Sequence, residues 1–389
     1  MTLSAKETEV LAWLDAHEPA MIELLRRIVD LDSGSYDKAG VERVGEVLQA
    51  HLREAGLEVE VRPGERFGGT FTARLPAADG RNEPGHVLLL GHRDTVFPEG
   101  EAARRPFRIE HGKAYGPGVA DMKAGLVLNS FVMAALAAHG GAPLPVVALY
   151  TADEEVASPE GRPVIEAAAR DARAVFNAEP GRPEGGIVTS RNGAMFVQVE
   201  ITGVPAHSGA NHRAGRSAIE EMARKITALH ALTDYAAGLT VNVGLVEGGE
   251  AVNTVAPRAR FGFDVRFPTL AVQARAEQAV EAILRTTHVP DTTTTVVEKR
   301  LFLPVEENAR NHALFEHYAA GCADLGLATK PVFSGGSADS GFTSALGVPT
   351  ICGTGPFGEK AHTPEEVCHL ETLVPRAKAV ALAVLRLAP

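Results

Sequence analysis

At 389 residues the chain exceeds the roughly 250–300 residues at which a single core stops growing, so two domains are expected. Its 45% hydrophobic and 22% charged residues are those of a globular protein and exclude a disordered chain. A formal net charge of -11 argues against a nucleic-acid partner, which calls for a basic face. The three cysteines, Cys322, Cys352 and Cys368, form no Cys-x-x-Cys pair, so neither a disulfide framework nor a thiolate zinc site is expected. Reduced thiols in a cytoplasmic protein are the natural reading. The start, Met1-Thr2-Leu3-Ser4-Ala5-Lys6-Glu7, lacks the basic stretch and apolar core of a secretory signal. No run suggests the roughly 20 apolar residues of a membrane span, and no membrane association is expected.

The first sixty residues read as helical. Trp13, Leu14, Met21, Leu24, Leu25 and Ile28 fit an apolar stripe, and Val41, Val44, Leu48 and Leu52 continue the period until Gly56. Short strands are expected at Leu57–Val61 and Phe71–Leu75. The apolar run from Leu88 then ends in Gly91-His92-Arg93-Asp94, where alternation along a strand turns His92 and Asp94 to one side. A neutral imidazole is a good zinc ligand, and its second nitrogen usually donates to a carboxylate that fixes the ring. His92 is therefore the candidate ligand and Asp94 its orienting neighbour, although such a pair also occurs as plain structural hydrogen bonding.

Gly116-Pro117-Gly118 leads through Asp121 into a helix that continues over Leu126–Ala138. Asp121 stands where helices take an N-cap, which is its simplest role. The strand Val146–Tyr150 runs into Asp153-Glu154-Glu155, and crowded carboxylates after a buried strand are costly unless a cation neutralises them or water solvates them. Strand Ala174–Asn177 likewise ends in Glu179. In open α/β sheets the carboxyl ends of strands form the ligand crevice, so acids at several ends belong to one place.

From Met195 the texture changes. A strand at Phe196–Ile201, a helix at Ser217–Leu232, strands at Leu239–Val246 and Ala259–Phe267, a helix at Ala271–Leu284 and a strand at Thr292–Val297 make a β-α-β-β-α-β order. Such an order folds as an α+β open-faced sandwich, here an inserted domain over 194–301, with 1–193 and 302–389 forming the other domain. Helix Asn311–Leu325, the stretch Ser334–Gly341, strand Val348–Cys352 and helix Glu371–Leu387 resume the first domain, and His362 lies on a loop between the last two.

Together His92-x-Asp94, Gly116-Pro117-Gly118-x-x-Asp121, Asp153-Glu154-Glu155, Glu179-Pro180 and Ala361-His362 resemble the co-catalytic di-zinc exopeptidase and deacylase family. Its members include bacterial glutamate carboxypeptidase, the nearest in pattern, aminoacylase, acetylornithine deacetylase and succinyl-diaminopimelate desuccinylase. The resemblance implies a catalytic α/β domain, a mixed sheet flanked by helices, with the inserted sandwich as a lid and dimerisation domain. It implies two zinc ions, replaceable by cobalt or manganese, with Asp121 bridging, His92 and Glu179 completing one site, and Glu155 and His362 the other. Oxygen and imidazole donors suit zinc. Water between two divalent ions ionises near neutrality, and Glu154 fits as the general base that takes its proton and passes it to the leaving nitrogen.

The inserted domain carries Gly203-Val204-Pro205-Ala206-His207-Ser208-Gly209, similar to the family segment whose histidine steadies the oxyanion, so His207 is implied as a donor. Arg191, Asn253, Arg266 and Gly336 are candidates for binding substrate, an arginine being the natural partner of a terminal carboxylate. One departure is Gly335-Gly336-Ser337-Ala338-Asp339-Ser340-Gly341, which lacks the Asn common near the second histidine. The resemblance thus implies hydrolysis of an amide or peptide bond beside a C-terminal amino acid, as in glutamate carboxypeptidase, with N-acyl-amino-acid deacylation by the same chemistry as the alternative. A catalytically silent homologue would be expected to have lost a ligand or the base, and all six positions are kept. The expected partners are a peptide or acyl-amino-acid substrate and a second copy of the chain.

Overall fold

A computed structural model describes residues 3–80 and 85–388. They divide into two compact units, the first built from 1–190, 307–333 and 342–389, the second from Arg191–Glu306 together with Ser334–Gly341.

The first unit is a mixed eight-stranded sheet with helices packed against it. Strand order is Glu58–Arg62, Thr70–Leu75, Val146–Thr151, His86–His92, Ala172–Asn177, Thr350–Cys352, Gly186–Arg191, Lys330–Ser334. His86–His92 pairs in parallel with Val146–Thr151 on one side and Ala172–Asn177 on the other, and Thr350–Cys352 extends that parallel set. Val87, Leu88, Leu89 and Leu90 are all fully buried, which is why this strand reads as a continuous apolar run rather than an alternating one. The parallel register aligns His92 with Thr151 and Leu90 with Asn177, so the residues that follow each strand leave the sheet at one edge.

The helix Ala124–Ala138 is buried from Ala124 to Leu136, and the stretch Val119–Ala138 is long and apolar enough to cross a membrane. The sequence reading missed this. Its apolarity has another cause: 94% of that stretch is enclosed by protein, with the helices Ala5–Ala16, Glu18–Val29, Lys38–Glu54 and Leu373–Arg386 packed around it. A helix that is apolar on every face is what a position at the centre of a core demands. Gly125 lets its first turn sit on the strand exit, since a Cβ there would lie 1.9 Å from the Ala178 carbonyl oxygen.

The second unit has the β-α-β-β-α-β order expected for an open-faced sandwich. Its strands Gly193–Thr202, Thr240–Gly248, Arg258–Phe267 and Thr293–Phe302 pair antiparallel in the spatial order second, third, first, fourth. Met195, Val197, Val199 and Ile201 alternate inward with Phe261, Phe263 and Val265 against the helices Ala218–His230 and Leu270–Arg285. The intervening residues, among them Phe196, Glu200, Asp264 and Arg266, occupy the opposite face.

Not read from the sequence were the helix Gly161–Ala169, the two strands Gly186–Arg191 and Lys330–Ser334, and a small four-stranded sheet in which Lys113–Tyr115 pairs with Val367–His369. The strands of that small sheet are two or three residues long, too short to show a period.

Candidate metal centre

His92 ends the central strand with its imidazole 1% exposed. Its Nδ1 lies 3.0 Å from the Asp94 backbone carbonyl and 3.3 Å from the Asp94 carboxylate. A proton on Nδ1 meets both acceptors and leaves Nε2 as the lone-pair nitrogen facing the cluster. Nε2 is buried and makes no hydrogen bond, yet it stands 3.3 Å from Asp121 Oδ1, 3.7 Å from Glu179 Oε1 and 3.8 Å from Glu154 Oε2. One lone pair ringed by three carboxylates is a cation-binding arrangement.

Asp121 does not cap the helix it precedes, because Lys123 occupies that position and makes no side-chain cap. Its Oδ1 faces His92, and its Oδ2 lies 3.3 Å from Nε2 of His362. Glu155 Oε2 is 3.2 Å from the same His362 nitrogen, while its Oε1 is buried without a hydrogen bond. Two donor groups result, His92 with Asp121 and Glu179, and Asp121 with Glu155 and His362, each with ligand atoms within 4.8 Å of one another. The imidazole and carboxylate donors fit zinc, and Asp121 is common to both groups.

The three consecutive acids separate cleanly. Asp153 turns away, accepting the N–H groups of Glu160 at 2.6 Å and Gly161 at 3.1 Å at the start of the helix Gly161–Ala169. Burial pushes its carboxyl up to about 6. Glu154 and Glu155 face the cluster, and their backbone N–H groups both donate to Asp94, at 3.1 Å each. Ser35 Oγ donates to the same carboxylate at 2.7 Å. Asp94 therefore aligns the His92 ring and also pins the turn that presents Glu154 and Glu155.

The electrostatics match a site built for added positive charge. Burial would depress the His92 imidazolium, but Glu154, Asp121 and Asp94 outweigh it and hold the ring well above the usual histidine value. Asp121 and Glu155 raise His362 to about 10. Glu155 itself is pushed up to about 7 by burial, its pairing with His362 opposing the shift and the Asp121 charge adding to it.

Sequence reasoning missed Glu366 and the burial of Arg93 and Lys123. Glu366, fully buried, accepts the N–H groups of Gly118 at 3.0 Å, Ala120 at 2.8 Å and Asp121 at 2.9 Å. Arg93, between His92 and Asp94 in sequence, points away and binds the carbonyls of Val41 at 3.0 Å and Gly69. Lys123 Nζ donates to the Leu31 carbonyl at 2.9 Å.

His207, Asn253, Arg191, Arg266 and Gly336 all lie in the second unit. His207 is exposed, and its Nδ1 accepts the N–H groups of Gly209 and Ala210 at 3.1 Å each, which places the ring proton on the outward Nε2. Ser208 N–H donates to the Asn253 carbonyl at 3.0 Å, so the loops carrying His207 and Asn253 are joined. Arg191 is buried with Nε on the Gly336 carbonyl at 2.8 Å. Arg266 pairs with Asp264 at 2.7 Å and lies over the Phe196 ring at 5.0 Å.

A mixed sheet with imidazole and carboxylate donors gathered at its parallel strand exits defines an α/β protein of the metal-binding class. The family model for peptidase family M20/M25/M40 matches residues 88–386, and the chain belongs to that family. It is 27% identical over 354 residues to carboxypeptidase G2 of Pseudomonas sp. (strain RS-16), covering 89% of this chain and 84% of the relative. It is 30% identical over 276 residues to acetylornithine deacetylase of Proteus mirabilis (strain HI4320), covering 66% of this chain and 69% of that one. A tripeptidase structure from Staphylococcus aureus superposes with a TM-score of 0.75 at 20% identity, over 95% of this chain and 98% of that one. The protein is thus a hydrolase of the metallopeptidase class, with the fold expected of it.

Proposed function

We propose that this chain hydrolyses an amide or peptide bond beside a C-terminal amino acid, using two zinc ions. The observation that carries the reading is the placing of the two Asp121 oxygens, each 3.3 Å from a different imidazole. His92, Asp121 and Glu179 would hold one ion, and Asp121, Glu155 and His362 the other. Bound there, the ions would supply Lewis-acid polarisation of the scissile carbonyl and acidification of water.

The remaining work falls to the chain's own side chains. Glu154, in neither donor group, is the carboxylate within reach of the cluster that can accept a proton and deliver it to the leaving nitrogen. Asp94 keeps His92 and the Glu154–Glu155 turn in register. His207, with its donor proton outward, is suited to stabilise developing oxyanion charge, and Arg191, Asn253, Arg266 and Gly336 are the candidates for gripping the substrate's carboxylate. A homodimer through the second unit is part of the reading, because Leu245 and Val246 are 64% and 59% exposed on its edge strand.

Likeness to carboxypeptidase G2 over most of both chains supports the carboxypeptidase reading, while the acetylornithine deacetylase likeness supports the deacylase alternative. Zinc-loaded enzyme assayed with folyl- and benzoyl-glutamate against acetyl-amino acids separates the two. Preference for the acetyl series rejects the peptidase reading, and turnover that survives complete chelation rejects both.

A further inference from the structure

Of the five candidate ligands, His362 is the one that packing does not enclose. Its side chain is 52% exposed, whereas those of His92, Asp121, Glu155 and Glu179 are 15% exposed or less. It sits in the loop between the short strands Gly358–Glu359 and Val367–His369, at a φ of 64°, with Lys360 at 56°. Both values are left-handed, and a residue other than glycine stays there only where its surroundings hold it. Part of the restraint is local. Thr363 donates to the Lys360 carbonyl through its N–H at 3.2 Å and its hydroxyl at 2.8 Å, and Pro364 narrows the backbone choices of the Thr363 before it. His362 and the Pro364 carbonyl therefore move together.

Arg105 grips that carbonyl from outside the loop. Its Nη1 donates to Pro364 at 2.8 Å, its Nε pairs with the buried Glu101, and its guanidinium lies 4.7 Å from the centroid of the Phe97 ring. A tie positions only as well as its anchor is fixed, and this anchor is held at both ends. Asp32 accepts the N–H groups of Gly100 at 2.7 Å and Ala102 at 2.8 Å, and Asp30 accepts that of Phe107 at 2.7 Å.

We infer that Arg105 is a positioning residue: by tying the Pro364 carbonyl to the segment that carries Phe97 and Glu101, it holds the His362 imidazole where Asp121 and Glu155 can share a metal ion with it. This role rests on the two-metal reading above and adds to it a residue outside both donor groups. Its effect is selective. The group of His92, Asp121 and Glu179 contains no residue of this loop, so loss of Arg105 weakens one metal position and spares the other.

Withdrawal of zinc from the loaded protein by a chromophoric chelator reads the two positions apart from turnover. In Arg105→Ala one equivalent is expected to hold as in the wild type and the other about tenfold more weakly, the lower end of what lost ligand-orienting partners cost. Arg105→Lys keeps a donor for either Glu101 or Pro364 but lacks the fork that reaches both, and is expected to bind the weakened equivalent about threefold less tightly than the wild type. Where Arg105→Ala does not fold, Arg105→Lys carries the same comparison. Arg386→Ala is the control for stability alone, because Arg386 joins Glu7 and Asp324 at 2.6 Å each, in the same unit and away from the candidate ligands. It is expected to leave both equivalents unchanged. After chelation, hydrogen exchange of the peptide 360–367 is expected to run about tenfold faster in Arg105→Ala than in the wild type, as contacts that close the loop are lost. Wild-type affinity for both equivalents in Arg105→Ala overturns the assignment, and so does an equal weakening in Arg386→Ala, which would trace the loss to stability. A wild type that binds fewer than two zinc ions rejects the two-metal reading instead; loop exchange then decides the tie by itself, unchanged rates overturning it and acceleration supporting it.

Discussion

The carboxylate of Glu366 accepts the backbone N–H of Asp121 at 2.9 Å, although the two residues are far apart in sequence. With Gly118 and Ala120 donating to it as well, Glu366 gathers three N–H groups of the loop that carries the shared carboxylate. Burial pushes its carboxyl up to about 7; the three N–H groups oppose this, and the Asp121 charge adds to it. Glutamine at this position keeps the shape but sets an NH2 group among N–H donors. Glu366→Gln is therefore expected to lower zinc affinity about 10- to 100-fold, as loss of ligand-orienting partners typically does. Competitive titration against a chromophoric chelator measures it, and wild-type affinity would mean the loop holds Asp121 without help.

Glu154 is the site acid whose removal should separate chemistry from metal binding. Its backbone is pinned by Asp94, so Glu154→Gln keeps the turn and changes only the ability to take up a proton. Turnover is expected to fall by about 10²–10⁴ with zinc content unchanged by elemental analysis. A variant that turns over at the wild-type rate removes Glu154 from the proton path, and one that has lost zinc reassigns it as a ligand.

How much of this could be read from the chain depends on the range of the interaction. His92, Glu154, Glu155 and Glu179 follow apolar strands whose parallel pairing is local in pattern, so their convergence was visible from strand ends alone. Asp121 was ambiguous, since a cap and a ligand occupy the same place before a helix, and only the two imidazoles distinguish them. Glu366 could not be told from its neighbour Glu365, because what separates them is burial by the Gly118–Asp121 loop, a contact across most of the sequence. Lys123, fully buried and bound to the Leu31 carbonyl, was hidden for the same reason. Arg266 was a candidate for the substrate carboxylate, and its pairing with Asp264 follows from two-residue alternation that places both on one face.

The two imidazoles give the metal-binding equilibrium a definite pH dependence. His362 is held at about 10 by Asp121 and Glu155, above the ordinary 6.5, and His92 is shifted the same way. A raised value means that the metal-free fold is favoured by these protons below about pH 6.5 and loses that contribution as pH rises toward about 10. Zinc must displace the same protons, so its affinity rises with pH over the same window. Calorimetry in buffers of differing ionisation enthalpy at neutral pH is expected to show net proton release on binding. Buffer-independent heats would mean that both rings are already neutral before zinc arrives.

In the second unit the decisive contact for stability is a buried ion pair. Lys225 and Glu221, one turn apart on the helix Ala218–His230, are both fully buried with Nζ 3.0 Å from Oε1. Lys225 also donates to the carbonyls of Ile283 at 3.1 Å and Leu284 at 2.9 Å, satisfying groups at the end of the helix Leu270–Arg285. Glu221 in turn accepts the N–H groups of His288 at 2.8 Å and Val289 at 2.7 Å. Each charge thus holds the chain that leaves the neighbouring helix. Lys225→Met strands the carboxylate and frees those carbonyls, at a cost of about 3–5 kcal/mol. Hydrogen exchange across 283–289 is expected to accelerate accordingly, with zinc content unchanged because the ligands lie in the other unit. Replacing both residues, Glu221→Gln with Lys225→Met, should cost less than the sum of the single changes. Strict additivity would show that the two charges act independently on the helix end and that their pairing contributes nothing of its own.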